Sequence, residues 1–184
     1  MLLLVSGATR TARTDTVGHL IVPKQWNDPA ALQLQAGRWA VDNGAFSGCL
    51  FVSAPDVVAD AAATLRRWPF WARLIRGLGF PPAFVAQDGL SADRVPWADM
   101  GALFIGGSTD YKESADVRSL MAYAKAKGIW THWGRVNGKR RYEMALKAGC
   151  DSFDGSGFSK WPDTNVPLVD VWDAEIQQQP ELFL

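Results

Sequence analysis

Residues 149–156 read Gly-Cys-Asp-Ser-Phe-Asp-Gly-Ser, and this segment places two acids three positions apart where a short apolar strand runs into glycine. In an α/β barrel the carboxyl ends of the parallel strands surround the active site. The segment therefore predicts Asp154 as a catalytic carboxylate at such a strand end. The alternative is that Asp151 or Asp154 only caps the following turn, since aspartate before glycine commonly does so.

Short apolar runs typical of strands recur along the whole chain, and helical patterns at 57–78 and 115–127 separate the later ones. Strands that alternate with helices indicate a parallel sheet. Eight strands fit a trimmed (β/α)8 TIM-like barrel in which loops replace some helices, because such barrels typically need about 250 residues. A flavodoxin-like open sheet is the alternative that the shorter length favours. The predicted strands are 2–5, 19–22, 39–41, 50–53, 83–86, 102–105, 129–132 and 151–153.

Length and composition indicate an α/β protein of one domain. The chain has 184 residues, of which 48% are apolar, which is enough for a sizeable core. We expect residues 1–184 to form a single barrel, with 161–184 as a C-terminal tail that wraps it as a loop and a short helix. The opening apolar run is too short for a signal or membrane-spanning segment, which favours a cytoplasmic protein with no membrane partner.

Charge and cysteine content narrow the functional classes further. Nineteen basic and nineteen acidic residues leave no global field, so any binding of nucleic acid must depend on local patches. Cys49 and Cys150 lie far apart and outside any CxxC pattern, which predicts no metal site and no disulfide framework. The sequence contains no P-loop, GxGxxG or GxSxG motif, and we expect no cofactor.

Polar clusters follow most of the predicted strands at their carboxyl ends. Because these ends meet on one face of a parallel barrel, we expect their side chains to line one pocket. Three members have simpler alternatives: Asp56 as the N-cap of the next helix, Gly106-Gly107 as a turn, and His132 as a hydrogen-bonded structural group. The clusters are Asp42-Asn43-Gly44, Pro55-Asp56, Gln87-Asp88-Gly89, Gly106-Gly107-Ser108, His132 to Arg135, and Asp154-Gly155.

Four ordered motifs within residues 39–156 resemble the queuine tRNA-ribosyltransferase (tRNA-guanine transglycosylase) superfamily, above all its small phage and bacterial branch associated with DNA. The motifs are DNGAFS at 42–47, FVAQDG at 84–89, IGGS at 105–108 and GCDSFDG at 149–155. The resemblance implies a TIM barrel that cleaves an N-glycosidic bond in a polynucleotide and exchanges the base for a 7-deazaguanine.

The resemblance also implies a role for individual residues. Asp154 matches the aspartate nucleophile that attacks the ribose C1′, and Asp42 matches the second catalytic acid. Such a reaction passes through an oxocarbenium-like state that a nearby carboxylate stabilises. The residues that match base contacts are Asp56, Gln87, Gly106 and Gly107. Further candidate contacts to substrate or phosphate are Asp88, Ser108, His132, Arg135 and Asn137.

The implied partners are a nucleic acid and a free nucleobase such as a 7-deazaguanine. DNA is favoured over tRNA, because the chain lacks the zinc site of three cysteines and a histidine found in the tRNA enzymes. Access to C1′ in a duplex requires base flipping, and a basic stripe would hold the phosphates. Two stripes are candidates, although each could be only a solvated helix face: Arg135, Lys139, Arg140 and Arg141, or Arg66, Arg67, Arg73 and Arg76. Alternative functions are excision of a modified base without exchange, and binding of a modified nucleotide without chemistry.

Overall fold

A ring of eight parallel strands forms the centre of the molecule. The computed structural model describes residues 1–5, 17–21, 39–41 and 49–178. Each strand pairs with the next in chain order, and β8 pairs back with β1. The α/β class and the parallel sheet are confirmed, whereas the flavodoxin-like open order is wrong. The strands are β1 Leu2–Val5, β2 Val17–Ile21, β3 Trp39–Val41, β4 Cys49–Ser53, β5 Pro82–Ala86, β6 Ala102–Ile105, β7 Trp130–Trp133 and β8 Ser152–Asp154.

Side chains alternate between the inside of the ring and the helices outside it. Leu2 and Leu4 pack inside with Phe51 and Ala83, whereas Leu3 belongs to the outer core beneath the helices. This is the two-residue period of a strand. Continued toward the carboxyl ends, the same alternation directs Ser53, Gln87, His132 and Asp154 inward.

The predicted strands 129–132 and 151–153 each begin one residue too early. Asp151 lies before β8, where its Oδ2 accepts hydrogen bonds from the backbone N and the Oγ1 of Thr131 at 2.8 and 2.7 Å. Its Oδ1 forms an ion pair with Lys125 Nζ at 2.9 Å. Asp151 therefore joins β7 to β8 at the amino end of the ring and does not cap a turn.

Six helices accompany the later strands. None of the helices within the described residues is long and apolar enough to cross a lipid bilayer. Two single turns of 3-10 helix, Ala92–Arg94 and Trp97–Asp99, lie between β5 and β6. The helices are α1 Ala61–Gly77, α2 Thr109–Lys112, α3 Ala115–Ala126, α4 Lys139–Lys147, α5 Ser156–Lys160 and α6 Pro162–Gln177.

Helix α1 begins four residues later than the predicted start at 57. Asp60 is its N-cap, and the Asp60 Oδ1 accepts a hydrogen bond from Ala63 N at 2.8 Å. Ala59 just before it has a positive φ of 58°, which is incompatible with a continuous helix. The interpretation of Asp56 as the N-cap is therefore wrong, and its carboxylate is available for another role.

The C-terminal segment forms a 16-residue helix instead of the predicted loop and short helix. Pro162 lies in the first turn, where its missing N–H costs nothing. The Tyr142 hydroxyl donates to Asp173 Oδ1 at 2.5 Å and ties α6 to α4. Apolar side chains at helical spacing then hold α6 against the core, namely Val166, Val169, Trp172 and Ile176.

Candidate active site

Asp154 ends β8 and is held by two donors. Its Oδ2 lies 3.0 Å from His132 Nε2, and its Oδ1 accepts a hydrogen bond from Arg135 N at 2.9 Å. His132 is fully buried, and its Nδ1 lies 2.9 Å from Ser152 Oγ. Helix α5 has Gly155 at its cap position, so Asp154 does not cap it. His132 therefore orients the Asp154 carboxylate. This agrees with the interpretation of His132 as a hydrogen-bonded structural group.

The environment of Asp154 favours its charged form. Burial alone would raise the pKa of the carboxyl, but the hydrogen bond and charge of His132, the Arg135 N–H and the charge of Lys112 hold this pKa below its ordinary value. A carboxylate has about four lone-pair positions, and these two contacts occupy half of them. Asp154 is thus an ionised group with capacity left to act on a ligand.

A second carboxylate is fixed by a buried amide. Gln87 Nε2 donates to Asp56 Oδ2 at 2.5 Å, and Gln87 Oε1 accepts from Ala59 N at 2.9 Å. These bonds set the orientation of the Gln87 amide and leave one of its N–H groups unused. The pair thus offers both an acceptor, on Asp56, and a donor, on Gln87.

Gly106-Gly107-Ser108 lies between this pair and a third carboxylate. The Asp88 carboxylate accepts hydrogen bonds from Ser108 N at 2.8 Å and from Ser108 Oγ. Burial acts to raise the pKa of Asp88, but the Ser108 bonds and the Arg135 charge hold it below its ordinary value. A Cβ on Gly107 would lie 2.5 Å from Asp88 Oδ2, and one on Gly106 would lie 2.7 Å from Gln87 Nε2. The two glycines are therefore required by close packing, beyond the needs of a turn.

These strand ends enclose a cavity of about 280 Å³. Asp154 is not a lining residue: it binds the N–H of Arg135, which lines the cavity, and it contacts His132, whose ring centroid lies 4.5 Å from that of the lining residue Phe104. The Arg135 guanidinium donates to the Gly107 carbonyl and closes one side. The lining residues are Ser53, Asp56, Val58, Val85, Gln87, Phe104, Gly106, Gly107, Lys112, Gly134 and Arg135.

The structure gathers most of the residues singled out in the sequence, although not all in the cavity wall. Asp88 and Ser108 lie behind Gly107, and Asn137 binds Gly157 N at 3.2 Å at the start of α5. Asp42, the second catalytic acid implied by the resemblance, lies outside the described residues.

Sequence reasoning missed two polar residues of the cavity, Lys112 and Ser53. Lys112 is only 4% exposed and donates to the Gly134 carbonyl from its Nζ at 2.5 Å. Ser53 is 3% exposed, and its Oγ has no hydrogen-bond partner among the described residues. The polar Ser53 at an inward position of an apolar strand was a signal in the sequence. Lys112 gave none, because a lysine at the end of a short polar helix looks like a surface residue.

The first basic stripe lies beside the cavity. Arg141 Nη1 donates to the Arg135 carbonyl at 3.2 Å, and an adjoining groove of about 450 Å³ opens next to it. Two cations of this stripe are partly neutralised, because Lys139 pairs with Glu175 at 2.6 Å and Arg140 pairs with Glu113 at 2.5 Å. The groove is lined by Thr109, Glu113, Asn137, Gly138, Lys139, Arg140 and Arg141.

The second stripe lies on α1, where Arg66, Arg67, Arg73 and Arg76 are all exposed. It has the character of a solvated helix face. Among the described residues, no group of three His, Cys, Asp or Glu side chains is placed to hold a metal ion.

Comparisons with known proteins leave the family open. No family model matches the chain. No curated protein matches it either. A solved structure titled "Native KDPGal structure" is similar over 83% of this chain and 80% of that one, with 15% sequence identity and a TM-score of 0.48. A likeness of this degree carries no argument about the site or its chemistry.

Proposed function

We propose that the protein is a nucleic-acid base transglycosylase or N-glycosylase in which Asp154 is the nucleophile. One observation carries the proposal: an ionised carboxylate binds the N–H of Arg135, a residue of the cavity wall, and the same wall holds a second carboxylate and a fixed amide. The motif resemblance supports it independently, because it gives the same residues these roles.

In this proposal the Asp154 carboxylate attacks C1′ of the sugar as the C1′–N bond to the base breaks. The bonding electrons leave with the base, which takes up a proton. The ester at C1′ is then resolved by a second base, giving exchange, or by water, giving excision. His132 and the Arg135 N–H hold the carboxylate toward the sugar, while Asp42 stays the candidate for moving the proton.

The cavity suits a single flat base. Its volume of about 280 Å³ lies just below the range of small-molecule pockets, which span roughly 300–1,000 Å³. Val85 and Phe104 give it apolar walls. Asp56 accepts from ring or amino N–H groups and Gln87 donates to a ring acceptor, as a 7-deazaguanine edge requires. Gly106 leaves room for the base to approach the backbone.

The polynucleotide that we propose as substrate is DNA in preference to tRNA. In this proposal Asn137 and the groove beside Arg135 would receive the phosphates that flank a flipped nucleotide. The fold that we propose is a trimmed (β/α)8 barrel. Support comes from the closed order of the strands and from the helices that follow β4, β6, β7 and β8.

The test is base release and exchange by Asp154→Asn on 7-deazaguanine-modified phage DNA, unmodified DNA and tRNA, followed by mass spectrometry. We expect turnover to fall by about 10³-fold or more while affinity for the free base is retained, because Asn keeps the shape but loses the negative charge. Asp151→Asn is the matched control, since it removes the other carboxylate of the segment at the far end of β8.

Full activity of Asp154→Asn on a substrate that the wild type turns over would refute the assignment. Abasic sites without an inserted base would identify excision. Base binding without turnover on all three nucleic acids would favour the binding function.

A further inference from the structure

Lys112 is a buried amine in the wall of the cavity. Its Nζ donates to the Gly134 carbonyl at 2.5 Å, and no carboxylate of the described residues lies within 4.0 Å of it. Buried lysines are rare, and those that stay charged are usually paired. The position of Lys112 therefore favours the neutral amine, which is a nucleophile.

The electrostatic surroundings act in the same direction. Burial, with the nearby positive charge of Arg135, lowers the pKa of Lys112 to about 8, although Asp154 and Asp88 oppose the shift. At pH 8 about half of the side chains are then uncharged, which is about 100-fold more than for a lysine with the ordinary value. Lysines in such surroundings form covalent bonds with carbonyl carbons.

The cavity also contains an unsatisfied polar group that indicates a ligand. The Ser53 hydroxyl is buried without a partner among the described residues, and it lines the same cavity as Lys112. A buried hydroxyl without a hydrogen bond costs about 1–3 kcal/mol. A small polar molecule beside Lys112 would satisfy it.

We propose that Lys112 forms an imine with small hydroxylated aldehydes or ketones that enter this cavity. The Nζ lone pair attacks the carbonyl carbon, and the π electrons of the C=O bond move to oxygen. After proton transfer from nitrogen to oxygen, the nitrogen lone pair forms the C=N bond as the C–O bond breaks, and the leaving hydroxyl takes up a second proton from solvent and departs as water. The resulting iminium N–H can still donate to the Gly134 carbonyl, which holds the product. This inference does not depend on the proposed function, because it requires no nucleic acid.

The experiment is reductive trapping of the wild-type protein with glycolaldehyde and cyanoborohydride, followed by peptide mass spectrometry. We expect Lys112 to be labelled about tenfold faster than exposed Lys127 at pH 8, since part of the roughly 100-fold advantage in neutral amine is lost to restricted access. The labelling rate of Lys112 should reach half its maximum near pH 8.

Lys127 is an internal control in the same molecules, and Lys112→Arg shows which peptide carries the label without removing the positive charge. Labelling of Lys112 in the folded protein at or below the rate of Lys127 would overturn the proposal. Labelling that arises only after addition of denaturant would overturn it as well. Both outcomes are measured on the wild-type protein, so neither depends on whether Lys112→Arg folds.

Discussion

Asp151 and Asp154 lie three residues apart, yet they have unrelated tasks. Asp151 precedes β8 and Asp154 ends it, so the two carboxylates lie at opposite ends of this strand. Asp151 binds Thr131 and Lys125 at the amino end of the ring, while Asp154 binds His132 at the carboxyl end. The sequence predicted correctly that this segment carries both acids near a strand end. It could not separate their roles, because the partners of each belong to distant positions of the chain.

At the residue scale, Asp56→Ala should weaken binding of a 7-deazaguanine base by tenfold or more and relax selectivity among bases. The Asp56 carboxylate is the acceptor of the cavity wall and the partner of the Gln87 amide, so its loss also frees that amide to rotate. A site that loses its matching polar group discriminates less between analogues. Calorimetry with the base and with analogues that lack its N–H donors measures both effects.

Asp60→Ala is the matched control for Asp56→Ala, because Asp60 is the true N-cap of α1. We expect Asp60→Ala to lower the free energy of unfolding by about 1 kcal/mol and to leave base affinity unchanged. If Asp56→Ala instead lost stability and kept its affinity, Asp56 would be a structural residue.

At the element scale, the turn from β6 into α2 depends on Gly107. This residue has a φ of +78°, and a Cβ there would lie 2.5 Å from Asp88 Oδ2. Gly107→Ala should therefore cost more than the roughly 1–2 kcal/mol of a left-handed backbone, and it should break the bonds between Asp88 and Ser108. Urea unfolding measures the stability change, and base affinity should fall with it.

Gly128→Ala separates the backbone effect from the packing effect. Gly128 also has a positive φ, of +66°, but no atom lies within 4 Å of the position of its Cβ. The Gly128→Ala variant should lose only the stability that a left-handed backbone costs an alanine, and it should keep its affinity for the base. Equal losses of stability in Gly107→Ala and Gly128→Ala would show that close packing around Gly107 contributes nothing to the cost of the substitution.

The boundaries of elements were predictable only where local signals decide them. Strands 2–5, 39–41 and 102–105 were predicted with the right bounds. In the first and the last of them the local signal is a continuous apolar run, as is typical of buried parallel strands. The start of α1 was wrong because Asp56 and Asp60 are both suitable caps, and only packing selects between them. A loop and a short helix were predicted where α6 runs for 16 residues. One of its two prolines lies in the first turn, and apolar contacts support the rest of the helix.

At the scale of the whole molecule, stability should respond to the titration of Lys112. Its pKa falls from 10.5 to about 8 on folding, so the unfolded chain binds more protons between these values. The penalty for burying the lysine is complete below pH 8 and is relieved as the pH rises toward 10.5. Relative to Lys112→Met, the wild type should gain about 1 kcal/mol per pH unit from pH 8 to 10.

Urea unfolding of both proteins across this range is the measurement. The difference in free energy of unfolding between the wild type and Lys112→Met removes the contributions of titrating groups common to both proteins. One of these is Cys150, whose pKa is raised by burial to about 12. Parallel stability curves for the two proteins would show that Lys112 has an ordinary pKa.

The class of the fold was predictable from the sequence, whereas the hydrogen bonds that hold the site together were not. Eight apolar runs, with helical patterns between later members, are enough to indicate a parallel α/β sheet, and their polar ends indicate which face is functional. The bond between Gln87 and Asp56 joins residues that follow different strands. The approach of Lys112 to the Gly134 carbonyl also depends on tertiary packing. Such contacts leave no periodic pattern in a single sequence.

The pairing of β1 with β8 links the assembly of the site to the order of synthesis. Leu4 is in register with Asp154, so the first described strand and the strand of the proposed nucleophile are neighbours. The ribosome releases β1 long before β8, and one edge of β1 stays open in the meantime. A chain halted before β8 would present an apolar edge that invites aggregation, and it would lack the proposed nucleophile. Closure of the ring and the onset of activity would thus occur in the same late step.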